Sequence, residues 1–323
     1  MTQQARPLVG RDDELHLLGS LLDEGCAGLP RFAFVTGEPG IGKTSLLVAL
    51  VRRAEQRGCL TLQGSAAEFE RELPFGVMVD AFDEYLASLE PRAFNRVAAE
   101  DLGELAGVFP ALRSLDPGSD EPTTASERFR AHRAVRELIE RLAAREPLVL
   151  VLDDIHWADG ASLELIAHLL RRPPAAPFLV AATFRAGQVD RALEAAIEAA
   201  LRGGDGVRRI GLGPLAPGDT EALVGRAGSA ELDRLYRASG GNPFYMLQLA
   251  RMEGDGDGGA DTADGSGVPA AVASAIVAEL DALSGPARRF ADAAAVAGDP
   301  FDLDLAVQTA AMTEPDAVWR STS

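Results

Sequence analysis

The run Gly37-Glu-Pro-Gly-Ile-Gly-Lys-Thr44 follows an apolar stretch, Phe32-Ala-Phe-Val-Thr36, and precedes a helical pattern carried by Leu46, Leu47, Leu50 and Val51. A buried strand that enters a glycine-rich turn and leaves as a helix admits few folds, and this turn fits G-x-x-x-x-G-K-[ST] in that context. Glycines let backbone N–H groups converge on an anion, and the helix N-terminus adds partial positive charge. Such a cradle suits phosphate. Gly37, Glu38, Pro39, Gly40, Ile41, Gly42, Lys43, Thr44 and Ser45 are therefore the candidate nucleotide-binding residues. Lys43 would reach the β- and γ-phosphates of ATP, and the Thr44 hydroxyl would take one Mg²⁺ position.

Composition sharpens the lysine. The chain carries 31 basic residues, and all but Lys43 are arginine. Wherever a generic positive charge sufficed, arginine stands; a compact ammonium occurs only in the phosphate loop, where the two are not interchangeable. The 49 acidic residues bring the net charge to −18, the reverse of the basic surface a nucleic-acid binder usually shows. The arginines at 128, 130, 133, 136, 141 and 145 alternate with glutamates and read as solvated helix faces. Cys26 and Cys59 are two isolated thiols, expected to be reduced core residues. No apolar run approaches the roughly 18 residues of a bilayer crossing, and Met1–Gly10 lacks a secretion signal, so a cytoplasmic location and no membrane contact are expected.

Further strands read over 59–63, 147–153, 178–183 and 207–212, alternating with helical patterns over 161–172 and 189–201. That alternation predicts βαβ units and a five-stranded parallel sheet in an α/β fold. Several short helices are expected between 75 and 115. Thr124 and Glu127 form a capping box for a helix with Val135, Leu138, Ile139 and Leu142 on its apolar stripe.

The strand Pro147-Leu-Val-Leu-Val-Leu-Asp153 ends in two acids. Parallel strands bring their carboxyl ends to one edge, where open α/β sheets bind ligands. Asp153 is thus the candidate Mg²⁺ ligand with Thr44, and Asp154 the carboxylate that orients or deprotonates an attacking water. Arg185 follows the strand ending at Thr183. Arginines after strands are often merely solvated, but one at the edge of a central strand can sense a γ-phosphate. Lys43, Asp154 and Arg185 are the candidate catalytic residues.

Five segments occur in order: Val9-Gly-Arg-Asp-Asp-Glu-Leu15, the phosphate loop, Leu152-Asp-Asp-Ile-His-Trp-Ala-Asp159, Ala182-Thr-Phe-Arg185 and Gly241-Asn-Pro-Phe244. The series resembles the ATPase module of the large ATP-binding LuxR-type transcriptional regulators, in the STAND branch of AAA-like P-loop ATPases, and is similar to origin-recognition ATPase domains. The resemblance covers about residues 8–312. It implies an AAA-like core over 1–213, a helical lid over 214–252 and a partial winged-helix segment with a tail over 268–323; the acidic, glycine-rich low-complexity composition of 253–267 predicts a disordered linker between them. It places Val9, Gly10 and Arg11 over the adenine, although a plain helix-entry turn explains the same residues. It sets Pro243 near the base, while Asn242 and Pro243 also suit a helix start. Trp157 reads as packing. Members of that family continue into helical repeats and a helix-turn-helix; neither follows here before Ser323, so a stand-alone or truncated module without direct DNA binding is expected.

The expected activity is an ATP-binding, slowly hydrolysing switch whose nucleotide state sets the angle between core and lid. Expected partners are ATP or ADP, an unidentified protein or small-molecule effector, and a second copy of the chain in a nucleotide-dependent way. Two rivals stand beside it: a nucleotide-holding interaction module without turnover, and a P-loop kinase acting on a small molecule.

Overall fold

The computed structural model describes residues 8–90, 101–116, 118–204, 206–225 and 228–254, together with 273, 276, 277, 280, 283, 285–297, 309 and 310. The chain divides into two compact units, residues 1–227 with 240–243, and residues 228–239 with 244–323.

The first unit is built on five strands: β1 Arg31–Gly37, β2 Leu60–Ser65, β3 Leu148–Asp153, β4 Phe178–Phe184 and β5 Val207–Leu212. They pair in the order β2-β3-β4-β1-β5, and every pairing is parallel. Each lies where the apolar runs predict it, with ends moved by no more than two residues. β3 and β4 are almost wholly buried because helices cover both faces, so both side-chain sets must be apolar.

The two sets separate by period two. Phe32 and Phe34 of β1, with Leu148, Leu150 and Leu152 of β3 and Phe178, Val180, Ala182 and Phe184 of β4, face one core. Covering it are α3 (Gly76–Ser88), α4 (Leu102–Val108), α5 (Ala125–Ala143), α6 (Gly160–Arg171) and α7 (Arg191–Gly203). The alternate residues Ala33, Val35, Val149, Val151, Leu179 and Ala181 face α1 (Asp12–Cys26) and α2 (Lys43–Gln56). A single-residue slip would exchange the two cores, so the register is firmly specified.

Local chemistry sets the helix ends. Thr124 and Glu127 form the expected capping box on α5, Glu127 N–H donating to Thr124 Oγ1 at 3.2 Å and Thr124 N–H to Glu127 Oε2 at 2.9 Å. The arginines of α5 pair as predicted for a solvated face: Arg128 with Glu164, Arg133 with Glu137, Arg136 with Glu140 and Arg141 with Asp101. Buried Asp159 serves two helix starts at once. Its Oδ1 accepts from Phe75 N–H and Ser162 N–H, both at 2.9 Å, and its Oδ2 from Gly76 N–H at 3.0 Å and the Ser162 hydroxyl at 2.5 Å. That grip holds Phe75 at φ 60°, a left-handed conformation rare for a bulky residue.

Within the span 214–252 expected as a lid, residues 214–225 cluster with the first unit, with a short turn of helix over Pro217–Asp219 and α8 over Thr220–Val224. The second unit holds α9 (Ser229–Ser239), α10 (Pro243–Gly254, its first residue counted with the first unit) and α11 (Gly285–Ala297). Glu253 and Gly254, predicted to open the linker, close α10; its remaining residues, 255–267, fall outside the described ones, as do most of 268–323. Among the described residues no helix is long and apolar enough to cross a membrane.

Two buried histidines, His132 of α5 and His168 of α6, sit side by side. The His132 ring centroid is 5.6 Å from that of His168 and 6.0 Å from that of Phe75, and neither histidine's Nε2 has a hydrogen-bond partner. Burial lowers the His132 pKa to about 4, helped by His168, Arg128 and Arg171. The folded state thus prefers the neutral ring, whereas the unfolded chain protonates it near 6.5. The unfolded state then binds more protons between these values, so stability is whole above pH 6.5 and falls as pH drops toward 4. Urea unfolding across that window should show the decline, and His132→Phe should make it shallower, the rest coming from His156 and His168, whose pKa values burial also lowers.

Candidate functional site

β1 delivers the chain to the carboxyl edge of the sheet, and Gly37–Gly42 turn it back into α2. Gly42 caps α2 at φ 106°, in a backbone region that favours glycine, and the space where its Cβ would stand is open. The first helical bond is Leu46 N–H to Gly42 O at 3.0 Å, and no side chain caps the helix. The amides of Lys43, Thr44 and Ser45 therefore end a helix without intrahelical partners, a donor set that fits an anion.

Lys43 is buried, its Nζ donating to Gly37 O at 2.9 Å and Glu38 O at 3.0 Å. Burial pulls its pKa below the ordinary lysine value, opposed chiefly by the carboxylate of Asp154. Bonded to the loop's own carbonyls, the ammonium stands at the turn with one donor direction still to use.

Across the site, β3 ends in Asp153. The Thr44 hydroxyl donates to Asp153 Oδ2 at 2.6 Å, linking the start of α2 to the end of β3 across 109 residues. The Thr183 hydroxyl donates to Asp153 Oδ1 and accepts from Asp154 N–H at 2.8 Å. Thr44 and Asp153 together offer hard oxygen donors, the chemistry that suits Mg²⁺. Asp154 is turned into the left-handed region at φ 53°, a strained conformation that short polar residues tolerate best. Burial raises the pKa of its carboxyl, with the neighbouring Asp153 adding to the shift and Lys43 and Arg185 opposing it.

Arg185 projects its field onto Lys43, Asp154 and His156, and its buried Nε has no hydrogen-bond partner. A buried guanidinium donor left unpaired beside Lys43 is a place for an anion. The sheet thus brings together the candidates of the phosphate loop, Asp153, Asp154 and Arg185, from the ends of three strands.

The N-terminal candidates are placed by a clamp. Buried Arg11 donates through Nη2 to Ile41 O at 3.1 Å and Gly213 O at 2.6 Å, tying the phosphate loop to the chain after β5. Gly10, at φ 65°, turns half-buried Val9 into α1, and a Cβ there would overlap the Asp219 carboxylate. The Asn242 amide donates to Pro39 O at 2.9 Å, and Pro243 is the first residue of α10. Both ends of the first unit's chain therefore meet the phosphate loop.

Residues 7–181, more than half of the sequence, match the AAA ATPase domain. The chain belongs to that AAA ATPase domain family. It is 28% identical over 326 positions to an uncharacterized protein of Rhizobium meliloti (strain 1021), an alignment that takes in 93% of this chain and 30% of that protein. The chain thus spans less than a third of the length of the curated relative it matches. Among solved structures, the ORC2 protein of Aeropyrum pernix in its ADPNP–ADP complexes superposes with a TM-score of 0.55 at 15% identity, covering 96% of this chain and 81% of that one. The Walker-type ATPase of Pyrococcus abyssi gives 0.49 at 13% identity, covering 87% and 74%. At such identities the ORC2 match shows a shared fold: an α/β P-loop NTPase with a five-stranded parallel sheet.

This AAA ATPase domain also uses residues that sequence reasoning missed. Thr183 is fully buried and sits inside the segment Ala182-Thr-Phe-Arg185 without a role of its own; the register Leu152↔Ala182 puts it beside Asp153. A hydroxyl one strand away from an acidic strand end, in equal register, is the signal that could have found it. Trp157, read as packing, does pack: the Arg71 guanidinium lies 4.4 Å from its ring centroid and that of Arg185 5.9 Å. Arg71 also donates to His156 O at 2.9 Å. The two cysteines, read as isolated, are not; their sulfurs stand 3.4 Å apart.

Thr183→Val should lower stability by about 1–3 kcal/mol, since it leaves Asp153 Oδ1 and Asp154 N–H without their shared partner. Thr183→Ser should restore most of it. Denaturant midpoints of the three proteins check the point.

Proposed function

We propose that this chain is a Mg²⁺- and ATP-binding switch module with slow turnover, the regulatory ATPase part of a STAND-type, LuxR-like regulator. The observation that carries the ATP reading is the Thr44–Asp153 hydrogen bond, which joins a phosphate-loop hydroxyl to the acid ending β3. The regulator context rests on the motif series from Val9 to Phe244.

In this reading the amides of Gly40–Ser45 and the Lys43 ammonium hold the β- and γ-phosphates, with Glu38, Pro39 and Ile41 shaping the loop. Thr44 and Asp153 hold the metal ion. Bound Mg²⁺ would supply charge neutralisation for the triphosphate. Asp154 orients the attacking water, and Arg185 meets the γ-phosphate with its unpaired donor. Val9, Gly10, Arg11 and Pro243 border the base. A nucleotide shifts a conformational equilibrium only through unequal affinity for its states. The Asn242–Pro39 bond supports a route for that inequality, because it ties the phosphate loop to the residue ahead of α10. A protein or small-molecule effector and a second copy of the chain are the proposed partners, and a cytoplasmic site of action is part of the proposal.

The Thr44–Asp153 link serves a second reading equally well: nucleotide holding without turnover, in which Asp154 activates no water.

Two substitutions separate these readings. Lys43→Ala should weaken ATP binding roughly 100-fold, equivalent to about 2.7 kcal/mol; equal affinity in calorimetry would remove the ATP reading. Asp154→Asn should keep affinity within a few-fold while cutting phosphate release by about 10²-fold or more. No release from either the parent or this variant would select the holding module.

A further inference from the structure

The chain has two cysteines, and the fold brings them together. Cys26 is the last residue of α1, and Cys59 immediately precedes β2; their Sγ atoms are 3.4 Å apart and both are thiols. Their backbones are held independently of that contact. Cys59 N–H donates to Ala54 O at 3.0 Å at the exit of α2, and Ala27 N–H to Asp23 O at 3.0 Å at the exit of α1. An Arg57–Asp23 ion pair at 2.8 Å bridges the same two ends. The contact therefore belongs to two well-fixed backbone positions, within the apolar cluster that α1 and α2 share.

We infer that Cys26 and Cys59 form an oxidation site, closing reversibly to an intramolecular disulfide by exchange with a low-molecular-weight disulfide. Half-buried Cys26 is the entry thiol. Its thiolate attacks one sulfur of the small disulfide, forming a mixed disulfide and releasing one small thiolate. Cys59 then gives up its proton and attacks the Cys26 sulfur, expelling the second small thiolate. Two protein thiols are oxidised, and one disulfide is reduced to two thiols. Burial and the neighbouring Cys26 push the Cys59 thiol up to about 12. It is thus a poor first attacker, and its proximity to Cys26 is what makes it the resolving group.

The covalent ring runs from 26 to 59 and encloses β1, the phosphate loop and α2. Closing a loop of this length restricts the unfolded chain, so oxidation stabilises the nucleotide-binding unit without altering any residue of the phosphate site. This inference does not depend on the ATP reading.

The test incubates the reduced full chain with oxidised glutathione and follows it by intact mass, non-reducing peptide mapping and thermal unfolding. The expected product is about 2 Da lighter than the reduced chain, with one peptide pair joined through Cys26 and Cys59. It should carry a Tm higher by on the order of 10 °C, and dithiothreitol should reverse both changes. Cys59→Ser, with Cys59→Ala as its substitute should it fold poorly, should retain a glutathione adduct on Cys26 and show no such rise. A lasting adduct on the parent chain, disulfide-linked dimers, parent and variant both remaining fully reduced, or closure without a gain in Tm would each overturn the inference.

Discussion

Asp153 is where the three parts of the site become one object. Its two oxygens accept from Thr44 on the phosphate-loop helix and Thr183 on the adjacent strand, and Oδ1 also lies 3.1 Å from Asp154 N–H. A carboxylate at a sheet edge without such donors would be solvated and mobile; with them, its position is set by three main-chain segments far apart in sequence. Charge-assisted hydrogen bonds of this kind exceed neutral ones in strength, and their loss leaves a partly buried anion unmatched. The placement of Lys43, Asp154 and Arg185 follows from the same strand ends.

Much of this was legible in the sequence because parallel strands with helices on both faces leave long apolar runs and stop abruptly. Leu148–Leu152 stops at an acid and Phe32–Thr36 at a glycine, and those stops are the site. The lysine stood out against a background of arginine. Asp153 and Thr44 could be paired because a parallel sheet allows only one edge for both.

Other features were closed to such reasoning for physical reasons. Arg11 reaches Ile41 and Gly213, residues 30 and 202 positions away, and no local pattern encodes so long a span. Asn242 reads locally as a helix start, yet its side-chain amide reaches Pro39. Thr183 looks like an ordinary strand residue until the register sets it beside β3. Cysteine spacing carries no information about proximity when a strand, a loop and a helix intervene. In each case the missing knowledge was tertiary: which segments lie side by side, not which segments form.

Asp159 closes the sequence of residues that begins at Asp153, and it holds the starts of both α3 and α6 through four donors. Between these acids lie the strained Asp154, His156 with no hydrogen-bond partner for either ring nitrogen, and Trp157 beneath Arg71. The turn is therefore a crank: one end is fixed to the carboxyl edge of the sheet, the other to two helix axles. Any rotation at Asp154 has to be absorbed within four residues or passed on to both helices, which ties the covering layer of the larger core to events at the sheet edge.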